Sequence, residues 1–106
     1  MIKNKQFIVG VPDSKMKCEL DIIATDEGEA VAIAVGYHLA TKKTPVIYMQ
    51  SDGFSNAINA FTTLIIPYQI PYHLWISKRV DTPQHEVMGN KLEELLELFN
   101  IKATIL

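Results

Sequence analysis

Short apolar runs alternate along this chain with polar turns and longer helical stretches. Five of the runs are rich in β-branched and aromatic residues and are bounded by turn-forming residues, so they predict strands. They cover residues 6–11, 22–25, 45–50, 71–77 and 103–106. Because these runs are apolar throughout rather than alternating, the pattern is typical of a parallel sheet that is covered on both faces.

The longest helical stretch follows the second run. Residues 27–41 are rich in alanine and glycine, which indicates a helix packed closely on the sheet. Thr25 or Asp26 can cap its start, and Lys42 and Lys43 suit the negative end of its dipole.

Three further segments complete the pattern. Residues 54–66 predict a helix that Pro67 stops, and residues 90–99 predict an amphipathic helix. Residues 15–20 leave room for one or two helical turns, with Asp13 or Ser14 as the cap. Residues 78–88 predict a polar loop.

The resulting order is βαβαβαβαβ, which predicts an α/β fold with a three-layer, doubly wound, mostly parallel five-stranded sheet. With 106 residues, of which 48% are hydrophobic, the chain can build one core. We therefore expect a single domain over residues 1–106.

Composition narrows the class of function. The net charge is −2 with scattered cations, so the basic footprint of a nucleic-acid binder is missing. No apolar run approaches the length of a membrane span, and the first residues lack a signal-peptide pattern. Cys18 is the single cysteine, which excludes an intrachain disulfide and a cysteine-rich metal site. A reduced, cytoplasmic setting is the default expectation.

Ligands of an open parallel sheet bind beyond the carboxyl ends of its strands. Four polar loops lie there, namely residues 12–14, 26–28, 51–56 and 78–88. Glu27 is the first candidate, because it combines a strand end with the first turn of a helix. From position alone, Glu27 could equally be a helix-terminal acid without chemistry, and Asp13, Ser14, Asp52 and Asn56 could be caps or turn residues.

Several longer segments carry a resemblance to a known family. They resemble the phosphonopyruvate and sulfopyruvate decarboxylases in order and spacing. The segments read GVPDS (10–14), DEGEAVAIAVGYHLAT (26–41), YMQSDGFSNAIN (48–59), IP (70–71), PQH (83–85) and MG (88–89). The resemblance covers nearly the whole chain and implies a thiamine-diphosphate enzyme, specifically its pyrimidine-binding domain of the α-subunit type.

This resemblance also implies roles for individual residues. Glu27 would be catalytic, hydrogen-bonding the ring nitrogen of the aminopyrimidine. The other residues expected at the cofactor are Gln50, Gly53 and Asn56. Those expected at the substrate, a small anionic 2-oxo acid, are Asp13, Ser14, Arg79, Gln84 and His85. Arg79 is included because a guanidinium suits a phosphonate or sulfonate.

One motif of such enzymes is missing. Their diphosphate and Mg²⁺ are held by a Gly-Asp-Gly motif with a downstream Asn, and Ser51-Asp52-Gly53 is not that motif. The resemblance therefore implies a second, diphosphate-binding subunit or domain, and a chain that is inactive alone. We also expect association, with Phe54, Phe61, Tyr68 and the alanine-rich helix contributing to an interface.

The chain departs from the family pattern in three places. Only 12 residues separate Ser14 from Glu27, no helix precedes the first strand, and Phe54-Ser55 replaces the usual Leu-Gly. The domain is thus expected to be shortened in its N-terminal part. These departures keep three alternatives open: a non-catalytic relative with a regulatory or assembly role, a fragment of a longer decarboxylase, and a stand-alone binding module.

Overall fold

The computed structural model describes residues 5–16 and 18–106. Five strands form one sheet in the order β2-β1-β3-β4-β5, and every neighbouring pair is parallel. The strands are β1 (Ile8–Gly10), β2 (Ile22–Ile23), β3 (Val46–Gln50), β4 (His73–Ser77) and β5 (Thr104–Ile105). The helices are α1 (Glu27–Thr41), α2 (Phe54–Ala60), α3 (Ile66–Tyr68) and α4 (Pro83–Leu98). The predicted α/β class and parallel five-stranded sheet are confirmed.

Helix α1 begins and ends where its sequence predicts. The Asp26 side chain accepts a hydrogen bond of 2.8 Å from the Glu29 backbone N–H, and Glu29 reaches back to the Thr25 backbone N–H at 2.7 Å. These two bonds satisfy backbone donors that a helix start leaves free. At the other end, Lys42 takes the left-handed conformation and its backbone N–H binds the His38 carbonyl.

The prediction that Pro67 stops a helix is wrong. The helical path continues from α2 through a π-helical stretch, Phe61–Ile65, into α3. A proline lacks the N–H of the regular helix, and its ring collides with the carbonyl four residues earlier. The wider π turns just before Pro67 change that register, so the helical path continues past the proline and ends at Gln69, whose φ is 53°.

Two other boundaries differ from the prediction. Residues 83–88 belong to helix α4 rather than to a loop, because Thr82 stands at the N-cap position and Pro83 occupies the first turn, where its missing N–H costs nothing. No helix forms among the described residues of 15–20. Asp13 instead accepts the Lys15 backbone N–H at 2.8 Å and supports a turn.

The helices pack on one face of the sheet, here called the helical face. Strand residues Val9, Ile47, Met49, Leu74 and Ile76 share this face by register. They form one buried cluster with residues of the three longer helical segments, among them Ala30, Val31, Phe54, Phe61, Leu92 and Leu96. Phe54 and Phe61 are fully buried here, so the expectation that they contribute to an interface is wrong. Tyr68 is 71% exposed.

The opposite side of the sheet, here called the second face, carries Ile8, Gly10, Val46, Tyr48 and Trp75. None of the described helices belongs to it, which differs from the expected three layers. The β1–β2 connection is the crossover that should supply a helix there, and it is near the minimum length for a crossover with its helix. Val46 and Tyr48 are nevertheless buried.

Among the described residues, no helix is both long and apolar enough to cross a membrane.

Candidate active site

The candidate site lies where the strand order reverses. The chain leaves β1 toward β2 on one side and leaves β3 toward β4 on the other, so the connections diverge at the carboxyl ends of β1 and β3. This is the topological switch point at which open α/β sheets bind ligands. The Ser51–Gly53 turn follows β3 there, and Val11 to Ser14 follow β1.

Glu27 is the first residue of α1 and is 8% exposed. The Asn56 side-chain amide donates a hydrogen bond of 3.1 Å to Glu27 Oε1. No described residue hydrogen-bonds Oε2, and that oxygen is not among the described atoms that are both buried and unpartnered. Glu27 is therefore a carboxylate with one oxygen fixed by the protein and the other accessible to a ligand.

Gly53 lies directly against this carboxylate. A Cβ atom at position 53 would overlap the Oε2, Cδ and Cγ atoms of Glu27. The φ of Gly53 is −73°, which any residue can adopt, so the glycine is required by space rather than by backbone conformation. Glu27, Gly53 and Asn56, predicted together at the cofactor, are brought together by the fold.

Asp13 lies on the same side of the sheet as Tyr48, which belongs to the second face. The Tyr48 hydroxyl donates a hydrogen bond of 2.7 Å to Asp13 Oδ2. Burial, and then this bond to Asp13, raise the pKa of the Tyr48 phenol. Burial and the nearby Asp13 charge also raise the pKa of Cys18, which is the environment of an unreactive thiol. Both Asp13 oxygens thus have protein partners.

Arg79 is held by neighbouring side chains. Its Nε and Nη2 atoms donate to Asp81 at 2.9 and 3.1 Å, and Nη1 donates to Gln50 Oε1 at 3.5 Å. The hydrogen bond to Asp81 raises the pKa of Arg79. The Arg79 guanidinium lowers the pKa of Asp81 to about 2. The fork of donors expected to meet a substrate anion is therefore already engaged, and Gln50 lies with Arg79 rather than with Glu27.

His85 and Gln84 lie in the first turn of α4. His85 Nδ1 is 2.5 Å from Asp52 Oδ2, while Gln84 is exposed. Ser14 is also exposed, in the turn after β1. The predicted substrate residues thus lie in the segments that follow β1 and β4, at the carboxyl edge of the sheet.

Sequence reasoning missed three partners at this edge. Asp81 pairs with Arg79 two residues earlier, and this spacing in an extended segment is a signal that the sequence contains. Asp52 and Tyr48 are paired with His85 and Asp13 across 33 and 35 residues, which only the fold reveals. No group of three or more metal-ligating residues forms in the described part of the chain.

Fold and site together define a parallel α/β domain with a mostly buried carboxylate, Glu27, at the carboxyl edge of its sheet. No protein-family model matches the chain. The sulfopyruvate decarboxylase subunit alpha of Methanocaldococcus jannaschii is 38% identical over 112 residues, covering 92% of this chain and 66% of that protein. The same subunit of Methanococcus maripaludis is 30% identical over 109 residues, covering 90% and 65%. The phosphonopyruvate decarboxylase of Streptomyces viridochromogenes is 32% identical over 90 residues, covering 80% and 22%.

The chain belongs to the family of sulfopyruvate decarboxylase alpha subunits and phosphonopyruvate decarboxylases. It spans just under two thirds of the length of the two alpha subunits. The match to the Methanocaldococcus jannaschii subunit extends over 112 residues, which is longer than the 92% of this 106-residue chain that is aligned in it. That relative therefore has residues within the matched stretch that this chain lacks.

Proposed function

We propose that this chain is the pyrimidine-binding subunit or domain of a thiamine-diphosphate-dependent 2-oxo-acid decarboxylase. Its substrate would be sulfopyruvate, phosphonopyruvate or a similar small anionic 2-oxo acid. The observation that carries the proposal is the Glu27 carboxylate, which is buried and fixed through Oε1 but has a free Oε2. Family membership supports the same reading.

The residues around Glu27 suit the aminopyrimidine of thiamine diphosphate. Glu27 Oε2 would share a proton with the pyrimidine ring nitrogen, and Asn56 would keep the carboxylate turned toward it. Gly53, which has no side chain to displace the carboxylate, would let Glu27 hold the position from which Oε2 meets the ring. The bound cofactor supplies the electron sink for decarboxylation. The chain supplies the position of one acid–base group and its exclusion from bulk water.

The chain would act only with a diphosphate-binding partner. It has no Gly-Asp-Gly segment to hold the diphosphate and Mg²⁺. The name "subunit alpha" of the relatives supports an assembly with a second type of chain. We propose that the whole 106-residue chain is one shortened pyrimidine-binding domain, acting in the cytoplasm. The residues that the first relative has and this chain lacks support the shortening.

One observation favours a second candidate, a non-catalytic relative that regulates or helps to assemble the enzyme. Arg79 is the cation that sequence analysis placed at the substrate anion, and Asp81 already occupies its donors. In that role the chain would bind the partner without contributing to turnover.

A Glu27→Gln variant separates the two candidates. The wild-type chain is purified with its native partner, and CO₂ release from sulfopyruvate and phosphonopyruvate is measured with thiamine diphosphate and Mg²⁺. The catalytic role predicts a loss of turnover of roughly 10²–10⁴-fold with assembly intact, in the range for removing an acid–base group. Glu29→Gln is the matched control, because Glu29 lies in the same helical turn but binds only Thr25. Unchanged turnover in Glu27→Gln would leave only the non-catalytic role.

A further inference from the structure

A titratable pair involves the turn that packs against Glu27. Asp52 is in the Ser51–Gly53 turn, and His85 is the third residue of α4. Asp52 Oδ2 and His85 Nδ1 are 2.5 Å apart, and the two side chains are 28% and 14% exposed. The pair is therefore partly shielded from solvent. The family resemblance implied no role for Asp52.

The pair fixes which imidazole nitrogen is available. A carboxylate only accepts hydrogen bonds, so Nδ1 of His85 carries the proton that Asp52 Oδ2 receives. No described residue hydrogen-bonds Nε2, and Nε2 is not among the described atoms that are both buried and unpartnered. The neutral imidazole therefore presents an accessible lone pair at Nε2.

The same turn connects this pair to Glu27. Gly53, the neighbour of Asp52, packs against the Glu27 carboxylate. The Ser51 hydroxyl fixes the other side of the turn by accepting the Arg79 backbone N–H at 3.0 Å. Asp52 Oδ1 is buried and has no hydrogen-bond partner among the described residues. Such an oxygen is rarely left without a donor, so it marks the pair as open to a further polar group.

We propose that Asp52 is a positioning residue that holds His85 with Nε2 as a second proton-accepting atom of the site. During the reaction the keto oxygen of the 2-oxo acid becomes a hydroxyl group, and this hydroxyl would give its proton to Nε2. The oxygen keeps the electron pair of the O–H bond, and the imidazolium charge is balanced by Asp52. The substrate in this step rests on the proposed function, whereas the Asp52–His85 pairing does not.

The pairing is tested on the whole chain by ¹⁵N–¹H NMR of the histidine side chains in alkaline buffer. We expect the His85 proton on Nδ1 in the wild-type chain. Asp52→Ala should move it to Nε2, and Asp52→Asn, which keeps an acceptor oxygen, should preserve it on Nδ1. His38 is an internal standard, because its Nδ1 faces the Lys43 carbonyl at 3.0 Å. A wild-type His85 protonated on Nε2 would overturn the proposal.

Turnover of the assembled enzyme tests the role of the pair. Asp52→Ala should lower kcat about tenfold or more, with KM nearly unchanged, and Asp52→Asn should recover part of the loss. Thermal unfolding of each variant shows whether the fold is intact. Normal kcat in an Asp52→Ala enzyme whose His85 proton has moved would overturn this proposal alone. A wild-type complex without decarboxylase activity, or unchanged turnover in Glu27→Gln, would instead overturn the proposed function.

Discussion

The two sides of the sheet edge treat their charged groups differently. On the helical side, Glu27 keeps one carboxylate oxygen without a protein partner, and the glycine beside it leaves the space that the carboxylate itself occupies. On the side of the second face, the charged groups are bonded within the protein. Asp13 accepts hydrogen bonds from the Tyr48 hydroxyl and the Lys15 backbone N–H. Arg79 donates to Asp81. The helical side thus has a carboxylate oxygen that can still bind a polar group, whereas the charged groups of the other side already have hydrogen-bond partners in the protein.

This difference separates two kinds of charged residue that look alike in a sequence. A mostly buried carboxylate whose second oxygen has no protein partner and stays accessible can still take a ligand or a proton, so it is a candidate functional group. A guanidinium bound at both Nε and Nη2 to a carboxylate is complete as it stands and indicates structure. The comparison therefore supports the proposal that this chain supplies the cofactor side and that the partner recognises most of the substrate anion.

Of the variants that test this comparison, Gly53→Ala is expected to have the largest effect, which is on turnover. The added Cβ would overlap the Glu27 carboxylate and force it away from its place beside Asn56. We expect turnover of the assembled enzyme to fall at least about tenfold, since small displacements of catalytic groups can cost up to ~10² in rate.

Gly36→Ala is the matched control for this variant. A Cβ at position 36 would meet no atom within 4 Å, and the residue lies inside α1. Alanine should therefore stabilise the helix by up to about 1 kcal/mol without affecting turnover. If Gly53→Ala retained full turnover, the close fit of Gly53 on Glu27 would have no functional meaning.

An intermediate effect, on stability rather than turnover, is expected from Tyr48→Phe. Loss of the hydroxyl leaves Asp13 Oδ2 without its donor, at a cost of about 1–2 kcal/mol in the free energy of unfolding. The pKa of Tyr48 is raised in the folded chain. Above pH 10 the unfolded tyrosine loses its proton while the folded one keeps it, so this stabilisation is lost as pH rises.

Urea unfolding between about pH 8 and pH 11 measures this pH dependence of the free energy of unfolding, because the interval includes the ordinary pKa of tyrosine. The wild-type chain should lose stability more steeply than Tyr48→Phe. Tyr37→Phe is the control, since no described residue hydrogen-bonds the Tyr37 hydroxyl and its ring stacks on Phe7. Equal slopes for the wild type and Tyr48→Phe would contradict a structural role for the Asp13–Tyr48 bond.

The smallest effect is expected from Asp81→Asn. The pKa of Asp81 is lowered from 3.8 to about 2 by Arg79, so this pair stabilises the fold above the unfolded value. The contribution is lost as pH falls from about 4 toward 2. Stability of Asp81→Asn should therefore depend less on pH in this window than that of the wild type.

Urea midpoints at neutral and acidic pH give this comparison, with the exposed Glu94→Gln as a control on α4. If Asp81→Asn also lowered the KM for the anionic substrate, Arg79 would be a substrate residue held in reserve by Asp81. That outcome would break the contrast between the two sides of the edge, because the side of the second face would then also bind a ligand.

Much of the helical side can be predicted from the sequence. The start of α1 is determined locally, because Asp26 and Glu29 are correctly spaced to cap it, and this places Glu27 at the end of the sheet. The topology then brings the turn after β3 to the same edge of the sheet. Glu27, Gly53 and Asn56 could be grouped for these reasons.

The other pairings depend on features that a sequence pattern does not contain. Whether Pro67 ends a helix depends on the turn before it, and a π stretch there let the helical path continue. His85 was placed in a loop because the residues around it are polar, although Thr82 and Pro83 are a recognisable helix start. Which carboxylate an arginine or histidine meets depends on side-chain conformations across the fold, as the Asp52–His85 pair shows.

The most direct test of the central claim is decarboxylation by the separated and recombined chains. This chain is separated from its co-purified partner, and CO₂ release from sulfopyruvate is measured with thiamine diphosphate and Mg²⁺ for each chain alone and for their mixture. We predict no turnover by this chain alone and restored turnover on mixing, with Glu27→Gln unable to restore it. Full activity of the partner without this chain would contradict the account, because the pyrimidine-activating carboxylate would then come from elsewhere.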